Sequence, residues 1–160
     1  MTGGGRGWFP LFVNLEGEAV TVLGGGKVAL RRVESLLPTG CRLRVVAPQA
    51  LPRLVELAAA GALTLEERPY RAGDCAGAFL VLACTDDPAA QEAAMAECRA
   101  AGIPCNRADR RGESDFYFPG IARRGPVVAG VTAGGENHAL ARRAAQAVRQ
   151  ALEQLTEEDD

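Results

Sequence analysis

The sequence predicts an α/β protein: a Rossmann-like doubly wound parallel sheet followed by a small strand-and-helix dimerisation segment. Three observations predict it. Short β-branched apolar runs alternate with helical patterns from residue 19 to residue 106, the rhythm of a wound parallel sheet. One run, Ala78-Phe79-Leu80-Val81-Leu82-Ala83, is apolar throughout, as a central strand covered on both faces requires. A glycine turn joins the first run to the first helical pattern.

The elements follow in order. Ala19-Val20-Thr21-Val22-Leu23 is a strand stopped by three glycines. From Lys27 to Leu37 a helix places Ala29, Val33, Leu36 and Leu37 on one face, and Pro38 and Gly40 end it. Leu43 to Ala47 is the next strand, halted by Pro48. A helix over Leu51 to Ala60 closes at Gly61, and Leu63-Thr64-Leu65 is a short strand. After the apolar run, an Ala-rich helix spans Ala89 to Ala101 and stops at Gly102. Ile103-Pro104-Cys105-Asn106 is the last strand of this rhythm.

Beyond Asn106 the texture changes. Arg107 to Ser114 is polar; then Phe116-Tyr117-Phe118-Pro119 and Pro126 to Val131 read as strands with no helix between them. An amphipathic helix covers Ala139 to Leu155, with Leu140, Ala144, Val148, Ala151 and Leu155 in one stripe. The expected division is 1–113 for the sheet domain, 114–155 for the second segment and 156–160 for a frayed acidic tail. The second segment is too small to hold a core alone; it leans on the first domain or on a second copy of itself.

Composition narrows the function. Lys and Arg number 18 against 20 Asp and Glu, which excludes the strong positive field of a generalised nucleic-acid or membrane-surface binder. Aromatic residues are 5% of the chain, too few for a stacking platform on single strands. No run of apolar residues is long enough to span a bilayer, and the glycine-rich start has no secretory pattern. Five cysteines, Cys41, Cys75, Cys84, Cys98 and Cys105, have no C-x-x-C spacing and read as reduced, mostly buried thiols of a cytoplasmic protein. With His138 the single histidine, a polyhistidine zinc site is excluded.

Gly24-Gly25-Gly26-Lys27-Val28-Ala29 has the form G-x-G-x-x-A between a strand and a helix. In that form the first glycine permits the tight turn, the second admits a pyrophosphate to the backbone, and a small third residue lets helix and strand pack. Free N–H groups and the positive end of the helix then face the phosphates. The carboxylate expected about 20 residues on, to grip an NAD ribose, is absent: the second strand ends in Ala47-Pro48-Gln49. Gln49 or backbone groups take that ribose, and this motif leaves NAD and NADP undecided.

Read serially, the motifs resemble the precorrin-2 dehydrogenase and sirohydrochlorin ferrochelatase family, the N-terminal part of siroheme synthases. Trp8 to Leu15 resembles the family's "FP-(L/I)-F-x-x-L" entry, and Gly24 to Ala29 with Arg31-Arg32 its "GGGxVAxRK". Val45-Val46-Ala47-Pro48, Ala83-Cys84-Thr85-Asp86-Asp87, Ile103 to Asn106 with Asp109, Asp115 to Pro119 and Thr132-Ala133-Gly134-Gly135 follow in the family's order over residues 8 to about 150. The resemblance implies NAD-dependent oxidation of the tetrapyrrole precorrin-2 to sirohydrochlorin by a homodimer. It implies that Gly24, Gly25, Gly26, Lys27, Val28, Pro48, Gln49, Thr85 and Asp86 line the cofactor. Asp109 matches the aspartate of "N-V-x-D" and is the expected general base, since hydride loss must be accompanied by proton loss. Asn106, Gly134, Gly135, His138 and Arg142 are the expected substrate contacts, and no metal ligand is named.

Two departures concern the substrate side. The family's Ser-Pro pair is replaced by Asn137-His138, and the chain lacks the C-terminal helices and methyltransferase domain of longer members. Both bear on insertion of Fe²⁺ or Co²⁺, a second activity of some members, more than on the dehydrogenase. Asn137 is also a natural helix cap, and Asp86 and Asp87 either approach the cofactor or cap the helix after Pro88. The paired arginines 31–32, 110–111, 123–124 and 142–143 read as solvated faces, of which a subset suits the carboxylates of a precorrin. A non-catalytic NAD sensor or tetrapyrrole carrier is the rival from another class.

Overall fold

The computed structural model describes residues 8–134 and 137–154. They form two compact units, one of residues 13–116 and one that combines 8–12 with 117–154. The first unit is a five-stranded parallel sheet in the order β3-β2-β1-β4-β5. Its strands are β1 (Ala19–Leu23), β2 (Arg42–Ala47), β3 (Thr64–Glu67), β4 (Leu80–Ala83) and β5 (Cys105–Arg107), interleaved with α1 (Lys27–Leu36), α2 (Pro52–Ala59) and α3 (Pro88–Ala101). The strand order reverses between β1 and β4, and ligands of such sheets bind at that crevice, outside the carboxyl ends of the strands. Leu23 stands beside both Val46 and Ala83, so those ends are level.

Local chemistry accounts for these elements. Val20, Val22, Val45, Val81 and Leu82 are fully buried, because right-handed crossovers place helices on both faces. Pro52 and Pro88 sit in the first turns of α2 and α3, where a missing N–H costs nothing. The Asp87 side chain caps α3 by accepting from the amides of Ala89 at 2.9 Å and Ala90 at 3.3 Å.

Strand limits differ from the apolar pattern in β3, β4 and β5, the last running from Cys105 to Arg107 where the pattern gave 103–106. Ala78 and Phe79 precede β4, since the Ala78 amide closes a turn on the Cys75 carbonyl. β3 runs on through Glu66 and Glu67, because Arg44 on β2 donates to Glu66 at 2.6 Å across the pair. On the far side, residues 114–115 lie along β5. The Cys105 amide donates to Asp115 Oδ2 at 2.9 Å, and its carbonyl accepts from the Asp115 amide at 3.0 Å. Ser114 Oγ accepts from the Arg107 amide at 2.9 Å and donates to the Arg107 carbonyl at 3.2 Å. These bonds carry the first unit to residue 116, three residues beyond the expected boundary at 113.

The second unit holds an antiparallel pair, β6 (Gly120–Arg124) with β7 (Val127–Val131), and the helix α4 (His138–Glu153). The aromatic run 116–119 is not a strand: Pro119 has no N–H for a ladder, and the Phe116 carbonyl is taken by Asn106 Nδ2 at 2.7 Å. The stripe expected on α4 is rotated. Ala145 is its buried residue and Leu140 is exposed, because the helix meets the sheet at Gly120, where an added Cβ would lie 3.1 Å from that of Ala145. Leu155 and the acidic tail lie outside the described residues. Trp8 stacks on Tyr117 with ring centres 4.0 Å apart. No helix of the described residues is long and apolar enough to cross a membrane.

Candidate active site

The glycine loop is held by the ends of its neighbouring strands. Gly24 has φ +115°, and a Cβ there would lie 2.7 Å from the Cys84 carbonyl carbon and 2.8 Å from the Thr85 amide nitrogen. A Cβ on Gly25 would lie 2.2 Å from the Gln49 carbonyl oxygen and 2.7 Å from Ala50 Cα. The loops after β1, β2 and β4 are therefore in backbone contact, with Gly24 and Gly25 as a buried floor. Gly26, by contrast, faces open space, with nothing within 4 Å of its missing Cβ. Gly26, Lys27, Val28, Pro48, Gln49 and Asp86 are exposed around that floor and Thr85 is half-buried.

α1 starts at this loop with no side-chain cap and no acidic residue in its first turn. Its first intrahelical bond runs from the Leu30 amide to the Gly26 carbonyl, so the amides of 27–29 have no intrahelical partner. An uncapped helix start, beside a glycine with room above it, fits the pyrophosphate of a dinucleotide. Asp87 serves as the α3 cap, while Asp86 is exposed.

At the end of β5 the structure joins Asp109 to an arginine and two glutamates that the sequence pattern did not single out. Arg107 is 1% exposed and donates from Nε to Asp109 Oδ1 at 3.1 Å and from Nη2 to Asp109 Oδ2 at 3.0 Å. Its Nη1 reaches Glu92 on α3 and Glu113, each at 2.9 Å. The Asp109 carboxyl is held below the usual carboxylate range, first by the hydrogen bond from Arg107 and, against it, by desolvation. Asp109 is thus an ionised acceptor at neutral pH. About four lone-pair positions surround a carboxylate; the fork occupies two, and the backbone amides at 109 and 110 approach the same group.

Asn106 occupies a different environment. It is buried, and both ends of its amide are engaged: Oδ1 accepts from Arg32 Nη1 at 2.5 Å and Nδ2 donates to the Phe116 carbonyl. Arg32 belongs to a pair read as solvated yet is itself buried. Its position was legible: Ala29, Arg32, Val33 and Leu36 share one helical face by i, i+3, i+4, i+7 spacing. Arg107, sitting two residues before Asp109 in a strand, offered no such periodic signal.

In the second unit, Gly134 takes a left-handed φ of +65°, while Gly135 lies outside the described residues. Asn137 caps α4 by accepting from the Leu140 amide at 2.9 Å, so the departure from the family's Ser-Pro pair has a local structural use. His138 and Arg142 are exposed on the first turns of that helix. Cys75, Cys84, Cys98 and Cys105 are buried and Cys41 is half-buried, all as free thiols. Among the described residues no group of three or more His, Cys, Asp or Glu is arranged to hold a metal.

Comparison with known proteins bears on the family and the fold. The chain is 43% identical over 135 residues to a siroheme synthase of Ectopseudomonas mendocina and 42% identical to one of Pseudomonas aeruginosa. Each match covers 84% of this chain and 29% of the relative, so the chain spans less than a third of the length of these proteins. Its fold matches a solved structure, "SirC, precorrin-2 dehydrogenase", with a TM-score of 0.76 at 23% identity, over 90% of this chain and 71% of that one. The model of a family described as "Putative NAD(P)-binding" matches residues 11–120. With that match spanning more than half of its length, and the glycine loop at its centre, the chain belongs to this NAD(P)-binding family.

Proposed function

We propose that the chain oxidises precorrin-2 to sirohydrochlorin, with NAD⁺ as hydride acceptor and Asp109 as proton acceptor. The observation that carries this reading is the shared sheet edge: the open Gly26 surface and uncapped α1 follow β1, and Asp109 follows β5. Bound at the loop, NAD⁺ supplies the two-electron sink. Lys27 and Val28 after β1, Pro48 and Gln49 after β2, and Thr85 and Asp86 after β4 would line the cofactor. The hydride leaves the macrocycle carbon, the accompanying proton passes to Asp109, and solvent then takes it from the carboxyl group. Asn106 acts by fixing the chain between β5 and residue 116, since its amide is engaged at both ends.

On this reading Gly134, Gly135, His138 and Arg142 receive the carboxylates of the substrate. Two copies of the chain pair through the second unit, in which Ala122 and Ala145 are the buried apolar residues among those described; a two-stranded sheet with so little core needs a partner surface. Similarity to siroheme synthases supports the substrate and the pathway.

The test is an anaerobic assay with enzymatically made precorrin-2 and NAD⁺, following NADH and the sirohydrochlorin spectrum. Asp109→Ala is expected to lose roughly 10²–10⁴-fold in turnover while keeping its fold and its affinity for NAD⁺. Full turnover in that variant removes the role given to Asp109. Nucleotide binding by the wild type without any NADH refutes the dehydrogenase and leaves a binding protein. Adding Fe²⁺ after the first step reads metal insertion separately.

A further inference from the structure

We propose that Arg107 is a positioning residue whose guanidinium fixes the place and plane of the Asp109 carboxylate at the carboxyl end of β5. This inference rests on the proton-accepting role given to Asp109 above. The fork places one nitrogen on each Asp109 oxygen, at 3.1 and 3.0 Å, and such planar two-point contact sets orientation as well as position, which an ammonium group does not. The guanidinium is itself immobilised. It is almost fully buried, and Nη1 is held by Glu92 from α3 and by Glu113 from the 3-10 turn at 111–113.

Arg107 faces Asp109 from β5, Glu92 approaches from α3, and Glu113 from the 3-10 turn, where Arg110 also reaches Glu113 at 3.4 Å. Backbone amides at 109 and 110 point at the Asp109 carboxylate as well. Three carboxylates thus share one buried cation. Without it they repel one another, and Asp109 holds a proton at higher pH.

The full-length chain carrying Arg107→Gln, Arg107→Lys, Glu92→Gln or Asp109→Asn is compared with wild type in three measurements: NAD⁺ affinity by calorimetry, thermal melting, and the pH dependence of kcat/KM with precorrin-2. Arg107→Gln is expected to lower kcat roughly 10- to 100-fold, the usual scale for loss of an orienting partner, with NAD⁺ affinity within twofold. Wild type is expected to be flat down to about pH 5, whereas Arg107→Gln shows an acid limb inside the range. Arg107→Lys restores the charge without the fork, so its limb returns toward wild type while kcat stays low. Glu92→Gln keeps an oxygen for Nη1 and leaves the fork, so its loss of kcat is expected to be several-fold smaller than that of Arg107→Gln.

Equal losses in Arg107→Gln and Glu92→Gln, or an acid limb that does not move, overturn the positioning role in favour of a purely structural ion pair. If Arg107→Gln does not fold, the Arg107→Lys profile decides, a wild-type kcat counting against the proposal. Normal turnover in Asp109→Asn brings down the underlying reading and the inference with it. An inactive Asp109→Asn beside a normal Arg107→Gln brings down the inference alone.

Discussion

Replacing Gly25 by alanine tests how the nucleotide loop is built. The added Cβ would stand 2.2 Å from the Gln49 carbonyl oxygen, 2.7 Å from Ala50 Cα and 3.0 Å from Ala47 Cβ. Ordinary contact is near 3.5 Å, so the loops after β1 and β2 must part by about 1 Å. Neither neighbour yields cheaply: the Gly25 carbonyl accepts the Leu51 amide at 2.9 Å and the Gly24 amide donates to Val46 at 2.8 Å. Overpacking of this kind costs about 1–3 kcal/mol. For a chain of this size that corresponds to a fall in Tm of roughly 4–8 °C for the middle of the range.

Gly26→Ala is the matched comparison, because its Cβ meets nothing within 4 Å. It is expected to melt within about 3 °C of wild type, the scale of a cap change of under 1 kcal/mol. Its methyl group would stand where the phosphates approach, and about tenfold weaker NAD⁺ binding, or 1.4 kcal/mol, is expected. Scanning calorimetry and NAD⁺ titration of both variants give the two readouts. A normal melt for Gly25→Ala, or unchanged NAD⁺ affinity for Gly26→Ala, would refute the division of the loop into a packed floor and an open approach.

Other consequences follow from buried charges and thiols. The Asp74 carboxyl accepts from Arg68, Arg44 and the Arg71 amide at 2.7–3.0 Å, and these bonds, Arg68 first, hold it well below the usual range. A carboxyl whose folded value is depressed stabilises above its unfolded value and loses that contribution as pH falls. Asp74→Ala should therefore cost about 2 kcal/mol at neutral pH, with the gap to wild type shrinking below about pH 4, as read by urea melts. Asn106→Ala removes the acceptor 2.5 Å from a buried guanidinium and should destabilise by about 1–3 kcal/mol; a neutral result would show that tie to be dispensable. Under native conditions iodoacetamide should modify the half-buried Cys41 first, with the four buried thiols protected until unfolding, as peptide mass spectrometry would show.

The sheet was legible because its signal is local. Apolar runs, prolines and glycines fix the strands and helix ends of the first unit within a residue or two, whereas the strand order came from the structure. Gly24 and Gly26 were also legible, since their roles are written in one turn. Gly25, the free position of the motif, proved the most tightly packed of the three only when the Gln49 carbonyl was placed beside it. The charge cluster on Arg107 draws on residues 92, 107, 109 and 113, and the tie from Arg32 to Asn106 spans 74 positions; no short-range pattern encodes such pairings. The aromatic run 116–119 misled because composition resembles a strand while the backbone bonding does not.

The bonds that 114–115 make along β5 also bear on how this protein avoids sticking to itself. An edge strand offers a row of unpaired amides and carbonyls on which another sheet can grow. At Cys105 and Arg107 that row is filled by Asp115 and by a single serine that both accepts and donates. The opposite edge, β3, ends in Glu66, which is paired with Arg44 and Arg68, and in the exposed Glu67, whose charge resists a strand arriving from another molecule. Both margins of the sheet are thus closed to extension. A Ser114→Ala, Asp115→Ala variant should turn slow, concentration-dependent aggregation into a measurable property.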